Sequence, residues 1–155
     1  MTITTPYPAS DFSLKDSAGT VYSLAYWRGN WLVLYFYPKD ATPGCTIEAC
    51  AMRDARDDLM TLGAEVVGIS QDEGASHDKF KAKYNLNFTL LSDPDKTVIE
   101  AYGAWGKDIF GREGVLRKTF IINPVGQVVK VYGRVTPLGH GKQVFEDLKT
   151  FIATA

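Results

Sequence analysis

The sequence predicts an α/β sandwich, a mixed central β-sheet flanked by helices with a β-hairpin at its N-terminal end. Three observations carry this. Trp31 to Tyr37 is apolar without interruption, as in a central strand covered on both faces. From Thr42 the apolar spacing changes to three and four, the period of a helix. Strand-like and helix-like stretches then alternate until a hairpin and a last helix close the chain.

Taken in order, Phe12 and Leu14 alternate with polar neighbours, Asp16-Ser-Ala-Gly19 is turn chemistry, and Val21-Tyr22 resumes an extended pattern, predicting a hairpin over residues 10–23. Arg28-Gly29-Asn30 is a second turn before the central strand. In the helix that follows, Met52, Ala55, Leu59 and Leu62 form the inner face, and Arg53, Asp54, Arg56, Asp57 and Asp58 the outer one. Thr42 suits its N-cap, Pro43 its first position and Gly63 its stop. Glu65–Ser70 reads as a buried strand and Gln71–Ser76 as a polar loop, followed by a helix on which Phe80 and Tyr84 share a face. Phe88–Leu91 is a short strand, and Asp93-Pro-Asp95 opens a short helix through Val98 and Tyr102. Residues 103–114 hold four glycines and predict a loop, with room for an edge strand in it. Arg117–Asn123 and Gln127–Tyr132, joined by Pro-Val-Gly126, are a strong hairpin signal. The last helix spans His140–Ile152, with Val144, Phe145, Leu148, Phe151 and Ile152 as its apolar face.

With 155 residues and neither linker nor repeat, residues 1–155 read as a single domain large enough to bury a core without staples. The content is 45% hydrophobic and 23% charged, with a net charge of −1 from 17 basic and 18 acidic residues. Nothing there invites nucleic acid or a membrane surface. No apolar run approaches the roughly 18 to 20 residues needed to span a bilayer. The first residues lack a basic cluster and an apolar stretch, so no secretory signal is expected and a cytoplasmic location is.

The two cysteines, Cys45 and Cys50, are too few for a disulfide framework. A metal site is not expected either, because Cys45-x4-Cys50 lacks a second pair and the two histidines, His77 and His140, are remote in sequence. His77 reads as a helix-start residue and His140 as a solvated one. With Thr42 as N-cap, Cys45 falls at N3, where backbone N–H groups lack helical partners and the helix dipole is positive. A thiolate is favoured there and is open to oxidation to a sulfenic acid. Five residues along a regular helix rotate Cys50 by about 140° and lift it by about 7.5 Å, placing the Cα atoms about 8 to 9 Å apart. A disulfide tolerates about 7 Å. Either the pair is not redox-coupled, or the first turns unwind to join it, in which case oxidation loosens residues 42–52.

Pro38-x3-Thr42-x2-Cys45 resembles the active-site signature of peroxiredoxins. The longer string from Tyr37 to Cys50, followed by Arg53-Asp54, is similar to the bacterioferritin comigratory protein or peroxiredoxin Q branch, and Gly68-Ile-Ser70, Ser76-His77, Phe88–Asp93, Tyr102-Gly103 and Arg117-x-Thr-Phe-Ile-Ile122 extend the similarity over nearly the whole chain. Ser10 and Asn123 depart from the proline and aspartate expected near those places. The resemblance implies a thioredoxin-like fold and a thiol peroxidase with neither metal nor bound cofactor. It implies Cys45 as peroxidatic thiol and Cys50 as resolving thiol, the two joining in a redox disulfide. Thr42 would hydrogen-bond thiolate and peroxide, Arg117 would stabilise the thiolate and the O–O bond, Pro38 would shield the pocket, and backbone donors around Gly44 would help bind the substrate. The implied partners are peroxides and thioredoxin or a glutaredoxin-like reductant, and the implied state is a monomer or weak homodimer.

Two other classes compete. A disulfide oxidoreductase would carry Cys-x-x-Cys, where this chain has Thr42-Pro-Gly-Cys45, a hydroxyl in place of the outer thiol. A binding module that keeps the fold would show no peroxide turnover for Cys45→Ser to abolish.

Overall fold

The computed structural model describes residues 4–108 and 110–154. The prediction of no secretory signal rests partly on residues 1–3, which lie outside the described residues. In chain order the elements are β1 (Tyr7–Pro8), β2 (Ser13–Lys15), β3 (Val21–Ser23), a 3₁₀ turn (Leu24–Trp27), β4 (Trp31–Phe36), α1 (Pro43–Thr61), β5 (Ala64–Ser70), α2 (Gly74–Tyr84), β6 (Thr89–Ser92), α3 (Thr97–Ala101), β7 (Trp105–Lys107), β8 (Glu113–Val115), β9 (Lys118–Ile122), β10 (Gln127–Tyr132) and α4 (His140–Thr154).

The main sheet runs β1-β10-β9-β4-β5-β6-β2-β3. β4 lies in its middle, parallel to β5 and antiparallel to β9, and its burial on both faces explains the unbroken apolar run. Alternation along the strand divides these side chains between two cores. Val33, Tyr35 and Tyr37 face the layer of α1 and α4, together with Ala49, Met52, Leu59, Phe80, Val144 and Leu148. Leu32, Leu34 and Phe36 face the other side, with Phe12, Trp27, Val98, Ile99 and Tyr102. The mixed sheet, the flanking helices and the β2–β3 hairpin are those predicted.

α1 leaves the C-terminal end of β4 through the loop Tyr37–Thr42. Its predicted ends hold: Thr42 is the extended N-cap residue, Pro43 opens the first turn, and Gly63 lies beyond the end at φ +77°. α4 crosses α1 closely, since a Cβ on Gly141 would collide with the Ala51 carbonyl. Only glycine allows that approach.

Three local expectations differ from the structure. α2 begins at Gly74, inside the predicted loop, where the chain packs so near the hairpin turn that a Cβ would lie 3.1 Å from the Ser17 backbone. Residues 105–107 and 113–115 form not an edge of the main sheet but a separate two-stranded antiparallel sheet, pairing Trp105 with Val115. Trp105 lies half-buried there, donating to Glu113, with the Lys96 ammonium over its ring. His140, expected in solvent, is buried at 1% exposure, its ring nitrogens meeting Thr119 Oγ1 at 2.8 Å and Gln143 Oε1 at 3.0 Å. Packing of the α4 start on α1 encloses it, and sequence spacing around one histidine carried no sign of that.

Candidate active site

The site grows from the junction of β4 and α1. The first helical hydrogen bond of α1 runs from Thr46 N–H to the Thr42 carbonyl, so the N–H groups of Gly44 and Cys45 have no partner within the helix. Cys45 sits at N3 and is 1% exposed, facing the core beside Tyr35 and Ala49. Both cysteines are free thiols. α1 is continuous across them, so Cys50 is held one and a half turns away, its Cα about 8 to 9 Å from that of Cys45 by helix geometry.

Arg117 lies between β8 and β9 and brings its guanidinium over the first turn of α1. A Cβ on Gly44 would lie 2.6 Å from Arg117 Nη2, so the glycine leaves the space the guanidinium fills. Nη1 donates to Glu48 Oε1 at 3.3 Å. Thus the adjacent Gly44 and Cys45 meet in one place with Arg117, which is remote from them in sequence. Thr42 reaches it differently. Its hydroxyl donates to the Lys39 carbonyl at 2.9 Å rather than capping the helix, leaving its oxygen free to accept. Pro38 stands exposed at the rim of the same loop.

Four residues of this centre were not singled out from the sequence as functional. Glu48 is wholly buried, one turn after Cys45 on the same face of α1. Burial pushes its carboxyl up from 4.5 to about 7, against the opposing pull of Arg117. Among the described residues its second oxygen, Oε2, has no partner, nor has the buried Tyr35 hydroxyl. Burial first, then the charges of Glu48, Cys45 and Asp40, hold that hydroxyl well above the ordinary tyrosine value. The signal for Glu48 was present: Cys45, Glu48, Ala49, Met52 is the inward 0, 3, 4, 7 spacing, with one carboxylate in an apolar stripe.

Asp40 and His77 support the loop. The Asp40 carboxylate, 6% exposed, accepts from the Tyr37 hydroxyl at 2.5 Å and from the Ser76 hydroxyl at 2.8 Å. His77 Nδ1 lies 2.7 Å from Asp40 Oδ2, and its Nε2 lies 3.1 Å from the Leu91 carbonyl. A carbonyl only accepts, so the Nε2–H donates to it. The Asp40 N–H donates to Asp72 Oδ2 at 2.8 Å. His77 is therefore more than a helix-start residue: it ties α2 to the loop that delivers Cys45. Nothing in the spacing of Asp40 and His77 predicts this, because the sheet brings them together.

A buried thiol at the first turn of a helix, under an arginine and beside backbone N–H groups with no partner in the helix, is an arrangement that can hold a thiolate and donate to a bound oxygen. Residues 6–131 match the AhpC/TSA family, and the chain belongs to it. It is 41% identical over 152 residues to peroxiredoxin Bcp of Bacillus subtilis (strain 168), covering 96% of this chain and 97% of that one. The solved structure of a cysteine-to-serine mutant of Xylella fastidiosa PrxQ superposes with a TM-score of 0.88 at 30% identity, covering 96% of this chain and 99% of that one. The Xanthomonas campestris bacterioferritin comigratory protein superposes with a TM-score of 0.85 at 37% identity, covering 90% and 91%. The fold is thus thioredoxin-like, and the enzyme is a peroxiredoxin of the Bcp/peroxiredoxin Q kind, as the sequence motif implied.

Proposed function

We propose that this peroxiredoxin reduces hydrogen peroxide and organic hydroperoxides through a sulfenic acid on Cys45, that Cys50 resolves it as an intramolecular disulfide, and that thioredoxin or a similar dithiol protein restores the thiols. The observation that carries the peroxidatic assignment is the buried Cys45 thiol at N3 of α1, with the Arg117 guanidinium seated over the adjacent Gly44.

The Cys45 thiolate attacks the terminal oxygen of the peroxide. A sulfur–oxygen bond forms, the O–O bond breaks, and an alkoxide or hydroxide leaves and takes a proton to become alcohol or water. Negative charge grows on that leaving oxygen, and fixed donors aimed at it lower the barrier. Arg117 and the free N–H groups of Gly44 and Cys45 supply such donors. The Thr42 oxygen, its own hydrogen given to Lys39, accepts the peroxide hydrogen. Pro38 at the rim limits water access. The Xanthomonas campestris relative is described with alkyl peroxide reduction activity, which supports organic hydroperoxides as substrates here.

Resolution requires the first turns of α1 to unwind, because the intact helix keeps the two sulfurs beyond bonding distance. The disulfide is then reduced by exchange with an external dithiol. Intact-mass analysis after one equivalent of peroxide tests the scheme. Wild type should lose two hydrogens, and Cys50→Ser should carry one added oxygen. An unmodified Cys50 in the oxidised wild type would refute its resolving role.

A further inference from the structure

We propose that Arg53 is a positioning residue for the resolving step, holding a fixed positive charge beside Cys50 that favours its attacking thiolate; this rests on Cys50 being the resolving thiol. Arg53 follows Cys50 by three residues on α1, so the two side chains share a face with Cβ atoms about 5–6 Å apart. Cys50 is only half-buried, unlike Cys45.

What distinguishes Arg53 from an ordinary helix-surface arginine is how it is held. Its Nη1 donates to the Tyr84 carbonyl, the last residue of α2, at 2.7 Å, and its Nε donates to Asp54 Oδ1 at 2.9 Å. Its own carbonyl accepts from Asn87 Nδ2 at 3.3 Å. Side chain and backbone are thus pinned to the α2–β6 connection, outside α1. The guanidinium keeps its place when the turns before it unwind. The hydrogen bond to Asp54 is the main reason Arg53 holds its proton more firmly than usual, and the charge of Cys50 adds to it against the effect of burial.

The other titratable groups on the elements touching this turn are few. α1 brings Asp54, already bonded to Arg53, and the end of α2 brings Tyr84 with Lys83 over its ring at 5.5 Å. α4 meets α1 at Ala51 through Gly141, and its His140 is engaged by Thr119 and Gln143. In the step itself the Cys50 thiolate attacks the Cys45 sulfur, the S–S bond forms, and the S–O bond breaks. The departing hydroxide combines with the proton that Cys50 gave up, so the step needs no further reagent.

The chain has two cysteines, so in a Cys45→Ser background Cys50 is the one thiol left. Iodoacetamide alkylation of that variant between pH 5 and pH 9 reads its thiolate directly. Adding Arg53→Gln should move the profile to higher pH, and adding Arg53→Lys should leave it near the parent. In the otherwise intact chain, rapid-quench mass analysis should show Arg53→Gln forming the sulfenic acid at the wild-type rate and the disulfide about three- to tenfold more slowly, since thiolate fraction rises faster than nucleophilicity falls. An unchanged alkylation profile, or a disulfide that forms as fast or faster, overturns the proposal. Failure of the resolving assignment would look different: oxidised wild type would keep Cys50 unmodified and lose no hydrogens, while the alkylation profile would still respond to Arg53.

Discussion

Replacing Glu48 by glutamine should remove a pH dependence from the opening of α1. Glu48 lies between the two cysteines, in the segment proposed to unwind, and burial pushes its carboxyl up from 4.5 to about 7 in the folded helix. A group whose folded pKa is raised gives the folded form an advantage that is complete below 4.5 and is lost as pH rises through about 7. At about 1.4 kcal/mol per pH unit, that gap is worth about 3 kcal/mol, or roughly a hundredfold in the opening equilibrium. Wild type should therefore open more readily at pH 8 than at pH 5. Glu48→Gln, neutral throughout, should keep the closed helix at both. Hydrogen exchange over residues 43–52, compared between the two proteins at each pH, cancels the intrinsic chemistry of exchange. Wild type and Glu48→Gln should be protected alike at pH 5, and at pH 8 the wild type should exchange up to about a hundredfold faster. An exchange ratio that is the same at pH 5 and pH 8 refutes the linkage between Glu48 and the helix.

Gly44→Ala should slow peroxide consumption about tenfold or more while thermal stability hardly changes, because the new methyl, 2.6 Å from Arg117 Nη2, displaces the guanidinium but suits a helix; stopped-flow kinetics and a melting curve together check both halves. Gly141→Ala should cost about 1–3 kcal/mol in urea unfolding, since its methyl meets the Ala51 carbonyl and α4 must shift. His77→Leu should cost about 1–3 kcal/mol by the same assay, as it strips the buried Asp40 carboxylate of its hydrogen-bond partner on α2 at 2.7 Å. A loss below about 1 kcal/mol would mean that Asp40 finds another proton or water.

Much of this architecture was legible because its signals are local. An unbroken apolar run between two turns made β4, and Thr42, Pro43 and Gly63 bracketed α1 by backbone chemistry alone. Cys45 followed from its place in that helix. Arg117 did not: as an isolated strand-end charge it reads as surface, and only the motif resemblance singled it out. The two-stranded β7–β8 sheet was hidden because glycines at 106 and 114 signal flexibility, whereas here they face each other across a pair. Asp40, His77 and His140 were missed for a different reason. Their partners come from distant elements, and one sequence carries no record of which buried polar groups satisfy one another.

The anchoring of the loop before α1 has a consequence for recovery after each turnover. Asp40 is fastened to Ser76 and His77 on α2 and to Asp72 beyond β5, and none of these bonds involves α1. The platform carrying Pro38 and Thr42 therefore outlasts any loss of order in the helix it introduces. In the proposed cycle, the first turn would not have to find its starting point again when the thiols are restored. It would be re-laid on a template held by α2 and by Asp72 beyond β5, so the return to readiness would be a short local event rather than a search.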